Sequence, residues 1–362
     1  MKAKRIIIAG GGTGGHIFPA IAIANAIKKL EPSTEILFVG AKGKMEMEKV
    51  PQAGYRIEGL DIAGFNRSSL IKNIGLPFKL LKSFFQVREI LRRFSPDAVV
   101  GVGGYSSFPV LRYAQQQGIP TYIHESNSFA GRSNILLGEK ATAVFVATDG
   151  MEKFFPEGKI LVTGNPVRAV ISESKVSRAD ALNFFGLPDK PTILSIGGSL
   201  GAKSINESMA SGLERIEGEG LQLIWQTGKP YSEQGRAAAK GMSGVWVSDF
   251  IKEMEYAFAV ADVVISRAGA MAIAELCVVG KPAIFVPYPF AAEDHQTVNA
   301  MNLEMKQAGI VVRDEEAGRR LVDEAVGLIK NHNRRNELSR NIAALGIKNA
   351  DMVIAAKILG KQ

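Results

Sequence analysis

The sequence predicts an α/β protein with two doubly wound parallel-sheet domains in tandem. Short, nearly continuous apolar runs recur along the chain, and helix-length segments separate them, which is typical of parallel sheets covered on both faces. The strand–glycine–helix unit at residues 6–27 has a counterpart at residues 192–213. The length of 362 residues also favours two domains, at roughly 150 residues per domain.

The predicted strands fall into two groups. They lie at 5–9, 36–39, 98–102, 121–123, 143–146 and 160–163, and at 192–196, 221–225, 245–247, 262–265, 283–286 and 310–312. Because Asn165 precedes a proline and is disfavoured in a helix, we expect the domains to divide near it. The predicted domains are 1–163 and 164–339, with helices at about 340–362 packing back on the first. Ligands of such sheets bind beyond the carboxyl ends of the strands, so the expected site is an interdomain cleft.

Composition excludes several classes of protein. Apolar residues make up 46% and charged residues 22%, which excludes disordered and collagen-like chains. Cys277 is the one cysteine, so an intrachain disulfide is excluded and a buried, inert thiol is expected. The net charge of +8 suits a phosphorylated substrate, a membrane surface or nucleic acid. We expect neither a signal peptide nor a spanning helix, because five glycines interrupt the uncharged stretch 6–27.

The first glycine motif, GGGTGGH at 10–16, follows a predicted strand and opens a predicted helix. Glycines there permit close backbone approach, and the N–H groups at the helix start form an anion site. The pattern also fits a dinucleotide site, but the second strand ends at Ala41 and no acid follows until Glu46. A dinucleotide is therefore disfavoured, and tight strand–helix packing remains an alternative. His16 is expected to point into the site from the helix start.

The segment at 65–93 combines seven cations, a single acid and many apolar side chains. Part of it is expected to be a core helix. The remainder is typical of a basic, apolar patch on an anionic membrane surface. The residues assigned to this membrane patch are Lys72, Ile74, Phe78, Lys79, Lys82, Phe84 and Phe85.

Two further motifs follow strands of the first domain. GVGGYSSFP at 101–109 is a second strand-to-helix glycine turn, and either a ligand contact or a purely structural turn explains it. HESN at 124–127 places charged and amide groups at the end of a strand. Its Glu125 and Asn127 are interpreted as site residues, with a loop-capping network as the alternative.

The second domain opens with two motifs that suit a phosphate. TGNPVR places Arg168 just past the predicted hinge, although a lone arginine is usually a solvated surface charge. SIGGSLGAKS at 195–204 resembles a phosphate-binding loop, but Ala202 stands where that motif needs glycine. We interpret it as a turn that approaches a phosphate, with Ser199 as hydroxyl donor. A plain strand–helix turn is the alternative.

Two later motifs offer hydrogen-bonding side chains after predicted strands. In SRAGAMAIAE at 266–275, Glu275 falls early in a predicted helix, where its carboxylate suits two ribose hydroxyls. A solvated glutamate favoured by the helix dipole is the alternative. EDHQTVNA at 293–300 offers His295 and Gln296. No metal-ligand spacing and no D-x-D motif occurs, so no bound metal is predicted.

Together these motifs resemble the MurG family of bacterial N-acetylglucosaminyltransferases over essentially the whole chain. The residues that carry the resemblance are, in order, GGTGGH, GVGGY, HE-x-N, TGNPVR, GGS-x-GA, S-R-A-G-A…E and DHQ-x-x-NA. The resemblance implies a GT-B fold of two Rossmann-like domains. It implies inverting transfer of N-acetylglucosamine from UDP-GlcNAc to the C4 hydroxyl of lipid I, giving lipid II, at the cytoplasmic face of the inner membrane. It implies no cofactor and no nucleic acid, and proteins of cell-wall synthesis and division become candidate partners.

The resemblance also implies roles for individual residues. On the donor, UDP-GlcNAc, the residues implied near the sugar are Thr13, Gly14, Gly15 and Asn127, with Gln296 on the sugar hydroxyls. Those implied near the pyrophosphate are Arg168 and Ser199, and Ile251 is implied beside the uracil. The residues implied along the nucleoside are Ala270, Met271, Ala272, Ile273, Ala274 and Glu275. The loop of Gly103, Gly104 and Tyr105 is assigned to the acceptor pyrophosphate. The family often has glutamine at Ser126 and threonine at Ala272, and each change removes a potential hydrogen bond.

Inverting transfer needs a base for the acceptor hydroxyl and stabilisation of the departing UDP. His16 is the first candidate for the base and Glu125 the second. Three other functions remain open at this stage. They are a UDP-sugar epimerase, a non-catalytic nucleotide-sugar or membrane-binding regulator, and a dehydrogenase.

Overall fold

The computed structural model describes residues 3–64, 76–198, 200–291 and 294–361. The chain divides into two compact units. Unit 1 comprises Met1–Val167 together with Asn349–Gln362, and unit 2 comprises Arg168–Lys348. The expectation from the sequence was a division at 163/164 and a return of the chain near 340, so the compact units divide slightly later at both places.

Unit 1 contains a seven-stranded parallel sheet in the order β3-β2-β1-β4-β5-β6-β7. Its strands are β1 (Arg5–Ala9), β2 (Glu35–Ala41), β3 (Arg56–Leu60), β4 (Ala98–Gly101), β5 (Thr121–Glu125), β6 (Ala143–Val146) and β7 (Ile160–Val162). Its helices are α1 (Gly14–Leu30), α2 (Glu46–Gln52), α3 (Leu76–Phe94), α4 (Ser107–Gln116), α5 (Arg132–Gly138) and, after unit 2, α15 (Ala350–Leu359).

Helices cover both faces of the unit 1 sheet because the central strands are apolar on both faces. Within β1, Ile6 and Ile8 lie in one core with side chains of α1 and α15. Ile7 and Ala9 point the other way, into a second core with side chains of α3 and α4. This alternation is the expected result of a two-residue side-chain period in a strand buried on both faces.

Unit 2 contains a six-stranded parallel sheet in the order β10-β9-β8-β11-β12-β13. Its strands are β8 (Thr192–Ile196), β9 (Gln222–Gln226), β10 (Val245–Ser248), β11 (Val263–Ser266), β12 (Ala283–Phe285) and β13 (Ile310–Val311). Its helices are α6 (Ala169–Ser172), α7 (Arg178–Phe185), α8 (Lys203–Gly218), α9 (Ser232–Ala238), α10 (Met254–Val260), α11 (Ala270–Val279), α12 (His295–Met305), α13 (Ala317–Lys330) and α14 (His332–Ala343).

The last two helices belong to different units. In α14, the Ser339 hydroxyl donates to the Gly280 carbonyl at 2.6 Å, so this helix is held by unit 2. In α15, Ile354 and Ile358 are buried in the core of unit 1, and α15 packs along α1. The chain therefore returns to unit 1 only with α15.

The two parallel sheets, of seven and six strands, confirm the predicted fold class. Among the described residues, no helix is both long and apolar enough to cross a membrane. Burial raises the pKa of the Cys277 thiol to about 12, which agrees with the predicted inert cysteine.

Candidate active site

The glycine loops after β1 and β4 pack directly on each other at the carboxyl edge of the unit 1 sheet. The Gly11 N–H donates to the Gly103 carbonyl at 3.3 Å. Gly104 has a φ of +82°, and a Cβ added there would lie 2.4 Å from the Gly11 oxygen. Only glycine permits both this backbone conformation and this approach. The two predicted glycine turns are therefore in direct backbone contact with each other.

His16 lies in the first turn of α1, and its ring folds back on the loop that precedes it. The ring Nδ1 is 3.0 Å from the Gly11 carbonyl oxygen. Because a carbonyl only accepts, the neutral ring bound there carries its proton on Nδ1 and its lone pair on Nε2. A Cβ added at Gly103 would lie 2.8 Å from Nε2, so the ring also lies against Gly103. This geometry gives His16 the tautomer that a base acting through Nε2 requires.

Glu125, the second candidate for the base, is buried at the end of β5 and accepts four hydrogen bonds. One carboxylate oxygen accepts from the Asn127 backbone N–H at 3.1 Å and from its side-chain amide at 3.3 Å. The other accepts from the Gly131 N–H at 3.1 Å and from the Asn134 amide at 2.8 Å. Both oxygens are therefore engaged, which favours the alternative interpretation of Glu125 as the cap of the loop that carries Asn127.

His124 precedes Glu125 in β5 and is completely buried. Burial, with a smaller contribution from His16, lowers the pKa of His124 to about 4. The His124 ring is therefore neutral near pH 7 and adds no positive charge beside His16. The sequence motif contained this histidine but gave no role for it.

Glu46, the first acid after the second strand, had no role predicted from the sequence. It lies at the start of α2 with an exposed fraction of 1%. Its two carboxylate oxygens accept from the Gly12 N–H at 2.8 Å and the Ala41 N–H at 3.0 Å. A Cβ added at Gly11 would lie 2.3 Å from the Glu46 carboxyl carbon. The carboxylate therefore fills the space under the glycine loop.

Tyr105 also lies against this glycine loop. A Cβ on Gly12 would contact its ring at 3.9 Å, and a Cβ on Gly64 would approach it to 2.9 Å. Burial, and then the charge of Glu46, raises the pKa of the Tyr105 phenol. The phenol therefore keeps its proton near pH 7 and can donate a hydrogen bond.

In unit 2, two of the predicted donor residues bind each other. The Arg168 Nε donates to Glu275 Oε1 at 2.9 Å, joining the residue before α6 to α11. The Glu275 side chain is largely buried, and burial raises its pKa while Arg168 opposes that rise. The guanidinium therefore compensates for a carboxylate that would otherwise be costly to bury. Ala270, Met271, Ala272, Ile273 and Ala274 form the preceding turns of α11.

Gln226, at the end of β9, connects the glycine loop after β8 to Ile251. Its amide nitrogen donates to the Gly198 carbonyl at 3.0 Å, and its amide oxygen accepts from the Ile251 N–H at 3.1 Å. The structure thus brings the predicted uracil contact close to the predicted phosphate turn. Ser199, assigned to that turn, lies outside the described residues.

Gln296, in the first turn of α12, accepts from the Tyr288 N–H at 3.0 Å through its amide oxygen. Arg267, which follows β11, had no role predicted from the sequence. Its Nη1 bonds to the Val286 and Pro287 carbonyls at 3.0 and 3.1 Å and to the Asp314 carboxylate at 2.5 Å. Arg267 therefore links segments that follow three strands, β11, β12 and β13, a role that its place in the SRAGAMAIAE motif did not indicate.

The described part of the segment at 65–93 has an exposed portion and a buried portion. Phe78 and Phe85 are 77% and 63% exposed on α3, whereas Phe84 is half-buried. Lys79 is exposed, and Lys82 pairs with Asp61 at 2.9 Å. Val87, Ile90 and Leu91, further along α3, are buried in the core. Lys72 and Ile74 lie outside the described residues.

The predicted site residues are thus divided between the two units. Unit 1 holds Thr13, Gly14, Gly15, His16, Gly103, Gly104, Tyr105, Glu125 and Asn127 on the loops and helix starts that follow β1, β4 and β5. Unit 2 holds Arg168, Ile251, Gln296 and the segment from Ala270 to Glu275.

Comparison with known proteins gives concordant results. The model of the glycosyltransferase family 28 N-terminal domain matches residues 6–146, and that of the family 28 C-terminal domain matches residues 192–354. A relative from Bacteroides fragilis is 52% identical, over 99% of this chain and 95% of its own length. One from Parabacteroides distasonis is 50% identical over the whole of both chains. Both are named UDP-N-acetylglucosamine–N-acetylmuramyl-(pentapeptide) pyrophosphoryl-undecaprenol N-acetylglucosamine transferase.

Solved structures agree with these matches. The crystal structure of Acinetobacter baumannii MurG is 29% identical, covers 99% of each chain and gives a TM-score of 0.80. A UDP-N-acetylglucosamine 2-epimerase covers 99% of this chain and 95% of its own, with a TM-score of 0.68. At 15% identity it shows a shared fold only. The two family domains and the near-complete relatives show that this chain belongs to the MurG family of glycosyltransferase family 28.

Proposed function

We propose that this protein transfers N-acetylglucosamine from UDP-GlcNAc to the C4 hydroxyl of undecaprenyl-pyrophosphoryl-MurNAc-pentapeptide, with inversion, to form lipid II. Relatives that are 50–52% identical carry the name of this transferase. The observation that carries the chemistry is the contact of His16 Nδ1 with the Gly11 carbonyl at 3.0 Å. It leaves the lone pair of the neutral ring on Nε2, the atom suited to accept a proton.

In this mechanism His16 is the general base. Its Nε2 takes the proton of the C4 hydroxyl while the hydroxyl oxygen forms a bond to the anomeric carbon from the face opposite UDP. The bond between that carbon and the β-phosphate oxygen breaks, and UDP leaves with the electron pair. Glu125 has both oxygens engaged by loop donors, so its assigned role is to hold Asn127 against the donor sugar.

Unit 2 is assigned to the donor. Glu275 binds the ribose hydroxyls, Arg168 and Ser199 stabilise the charge on the departing pyrophosphate, and Gln296 binds the sugar. Ile251 borders the uracil, and Ala270 to Ala274 line the nucleoside. The Arg168–Glu275 ion pair supports this assignment because two groups held 2.9 Å apart are close enough to bind adjoining parts of one ligand.

Unit 1 is assigned to the acceptor and the membrane. Gly103, Gly104 and Tyr105 face the acceptor pyrophosphate, and the exposed phenyl groups of α3 insert among the lipids of the cytoplasmic leaflet. Lysines beside them attract the anionic headgroups. The protein thereby works as a peripheral enzyme on a lipid-linked substrate.

One assay separates this function from the alternatives. UDP release from UDP-GlcNAc is measured with and without a soluble lipid I analogue. The transferase releases UDP rapidly only when the acceptor is present. A UDP-sugar epimerase would convert UDP-GlcNAc without the acceptor, and a pure binding protein would release no UDP in either case.

The variant that tests the base is His16→Asn. It retains a hydrogen-bonding side chain but cannot accept the proton at Nε2. Turnover should fall by roughly 10²–10⁴-fold, the usual contribution of a general base, while UDP affinity stays close to that of the wild type. Turnover near the wild-type rate would show that His16 only positions the substrate, and Glu125→Gln would then be the next variant to measure.

A further inference from the structure

A single peptide group joins Glu46 to His16. The carbonyl of the Gly11–Gly12 peptide accepts from His16 Nδ1 at 3.0 Å. The N–H of the same peptide donates to Glu46 Oε2 at 2.8 Å. Because the peptide is trans, its N–H and C=O point in opposite directions, toward the carboxylate and the imidazole respectively. The three groups therefore form an unbroken hydrogen-bonded chain.

The Glu46 carboxylate is firmly placed at the far end of this chain. It is almost fully buried, and its second oxygen accepts from the Ala41 N–H at 3.0 Å. Gly11 and Gly40 leave the room that it occupies, since a Cβ on either would lie within 2.5 Å of Glu46 atoms. A buried carboxylate binds N–H donors strongly, and low polarity around it strengthens the bonds further.

We propose that Glu46, the Gly11–Gly12 peptide and His16 act as a relay in which Glu46 is a positioning residue for the catalytic histidine. The carboxylate polarises the peptide, so that the Gly11 carbonyl becomes a stronger acceptor for the Nδ1 proton. This fixes the ring orientation, selects the tautomer with the lone pair on Nε2, and stabilises the imidazolium that forms when Nε2 takes the acceptor proton. The inference rests on the proposed role of His16 as the base.

The charged and titratable groups around His16 determine whether loss of the Glu46 charge raises or lowers the pKa of His16. Glu46 of α2 is connected to it through the peptide, Tyr105 lies beside the same loop, and His124 of β5 is near enough to interact with it electrostatically. Tyr105 and His124 are both neutral near pH 7, which leaves Glu46 as the negative charge of this set. A negative charge favours the imidazolium, so its removal lowers the pKa of His16.

The test is Glu46→Gln in the full-length protein, assayed with UDP-GlcNAc and a soluble lipid I analogue. The amide retains one acceptor oxygen but carries no charge. The kcat should fall by about 10- to 100-fold. Metal-bound histidines show a loss of this size when the group that accepts from their second ring nitrogen is removed. UDP affinity should be unchanged, and the acid limb of the pH profile of kcat/KM should move to lower pH. A lower Tm with unchanged kcat and pH profile would reduce Glu46 to a structural residue and overturn the relay.

Asp97→Asn is the matched control. The Asp97 carboxylate also accepts a backbone N–H, that of Arg5, at 2.7 Å. It does so at the amino edge of the same sheet, where β1 and β4 begin. This variant should alter the Tm at most and leave both kcat and the pH profile unchanged. The same loss of kcat in both variants would indicate a general weakening of unit 1 and would also overturn the relay.

A double-mutant cycle separates the relay from the proposed base. If Glu46 acts through His16, the double variant E46Q/H16N should turn over no more slowly than H16N alone. Multiplied losses in the double variant would show that Glu46 acts elsewhere. Normal turnover in H16N would instead reject the base assignment itself, so the two failures are distinguishable.

A measurement on the wild-type protein keeps the inference testable if E46Q does not fold. Nitrogen-15 NMR of the histidine rings reports which nitrogen carries the proton. The relay requires neutral His16 to carry it on Nδ1, and the Gly12 amide proton to resonate at the low field of a charge-assisted hydrogen bond. A neutral His16 protonated on Nε2 would overturn the relay.

Discussion

At the residue scale, the Arg168–Glu275 pair joins two functions of the proposed donor site. The carboxylate is buried and the guanidinium holds it at 2.9 Å. In the proposed binding mode the carboxylate accepts ribose hydroxyls while the same arginine stays beside the phosphates, so we expect nucleoside binding and leaving-group stabilisation to be coupled. Loss of either partner then affects the other, because a buried charge without its counterion is costly.

Glu275→Ala should weaken UDP binding sharply, since each charge-assisted hydrogen bond contributes roughly 1.5–3 kcal/mol. Arg168→Ala should lower turnover and also weaken UDP binding, because Glu275 loses its orientation. The double variant should lose less binding energy than the sum of the two, as measured by calorimetry with UDP. Arg215→Ala, which breaks an exposed ion pair with Asp323 in the same unit, is the control and should bind UDP normally. Unchanged UDP affinity in Glu275→Ala would contradict the ribose role.

The sequence predicted some of these residues better than others, for a physical reason. His16 and Glu275 stand in or just after strand–glycine–helix turns, whose short geometry places them at the carboxyl edge of a sheet. Glu46 reaches the same edge only because α2 folds its first residue back under the glycine loop. Arg267 acquires its role from carbonyls near Val286, far along the chain. Such contacts depend on tertiary packing, and no local spacing reveals them.

At the scale of single elements, α3 carries two different surfaces. Its first half exposes Phe78 and Phe85 together with Lys79, whereas its second half buries Val87 and Ile90 in the core. Large aromatic side chains exposed beside lysines are typical of interfacial binding to anionic lipid. The core-helix interpretation thus accounts for the second half of α3, and the membrane patch is our proposal for the first half.

The double variant Phe78→Ser, Phe85→Ser should release the protein from anionic vesicles, because each buried phenyl ring contributes about 1.5–3 kcal/mol. Binding by the wild type should also weaken as salt screens the lysines. Cosedimentation with vesicles measures both effects, and activity on a soluble acceptor should be retained. Leu136→Ser, which changes an exposed apolar residue of α5, is the matched control. Equal vesicle binding by the α3 variant would remove the membrane role.

One strand of the unit 1 sheet, β3, was not predicted from the sequence. The pattern of apolar runs did not include β3, whose sequence RIEGL contains Arg56 and Glu58. This strand is at the edge of the sheet, with β2 on one side, and it is less buried than the central strands. An edge strand needs fewer apolar residues, so its signal in the sequence is weak.

At the scale of the whole molecule, the chain leaves unit 1 at Val167 and returns to it with its last residues. Unit 1 is therefore built from a long first segment and a short last segment of the chain, and all of unit 2 lies between them in the sequence. The carboxyl end of α15 is held on α1, since the ammonium of Lys361, just beyond α15, donates to the Leu30 carbonyl at 2.8 Å. The sequence led us to expect helices at about 340–362 to pack back on the first domain, and α15 lies there, whereas α14 ends at Ala343 within unit 2.

The stability of unit 1 should consequently depend on the last helix. Ile354 is completely buried among side chains of α1 and the sheet, so Ile354→Ala should lower the free energy of unfolding of unit 1 by about 2–5 kcal/mol. Val353→Ala, at the exposed neighbouring position, is the matched control and should have little effect. Denaturant unfolding followed by hydrogen exchange of unit 1 amides measures the difference. UDP affinity should be the same in both variants, because the proposed donor residues Arg168 and Glu275 belong to unit 2. A loss of UDP binding in Ile354→Ala equal to its loss of stability would show that the two units do not retain their functions independently.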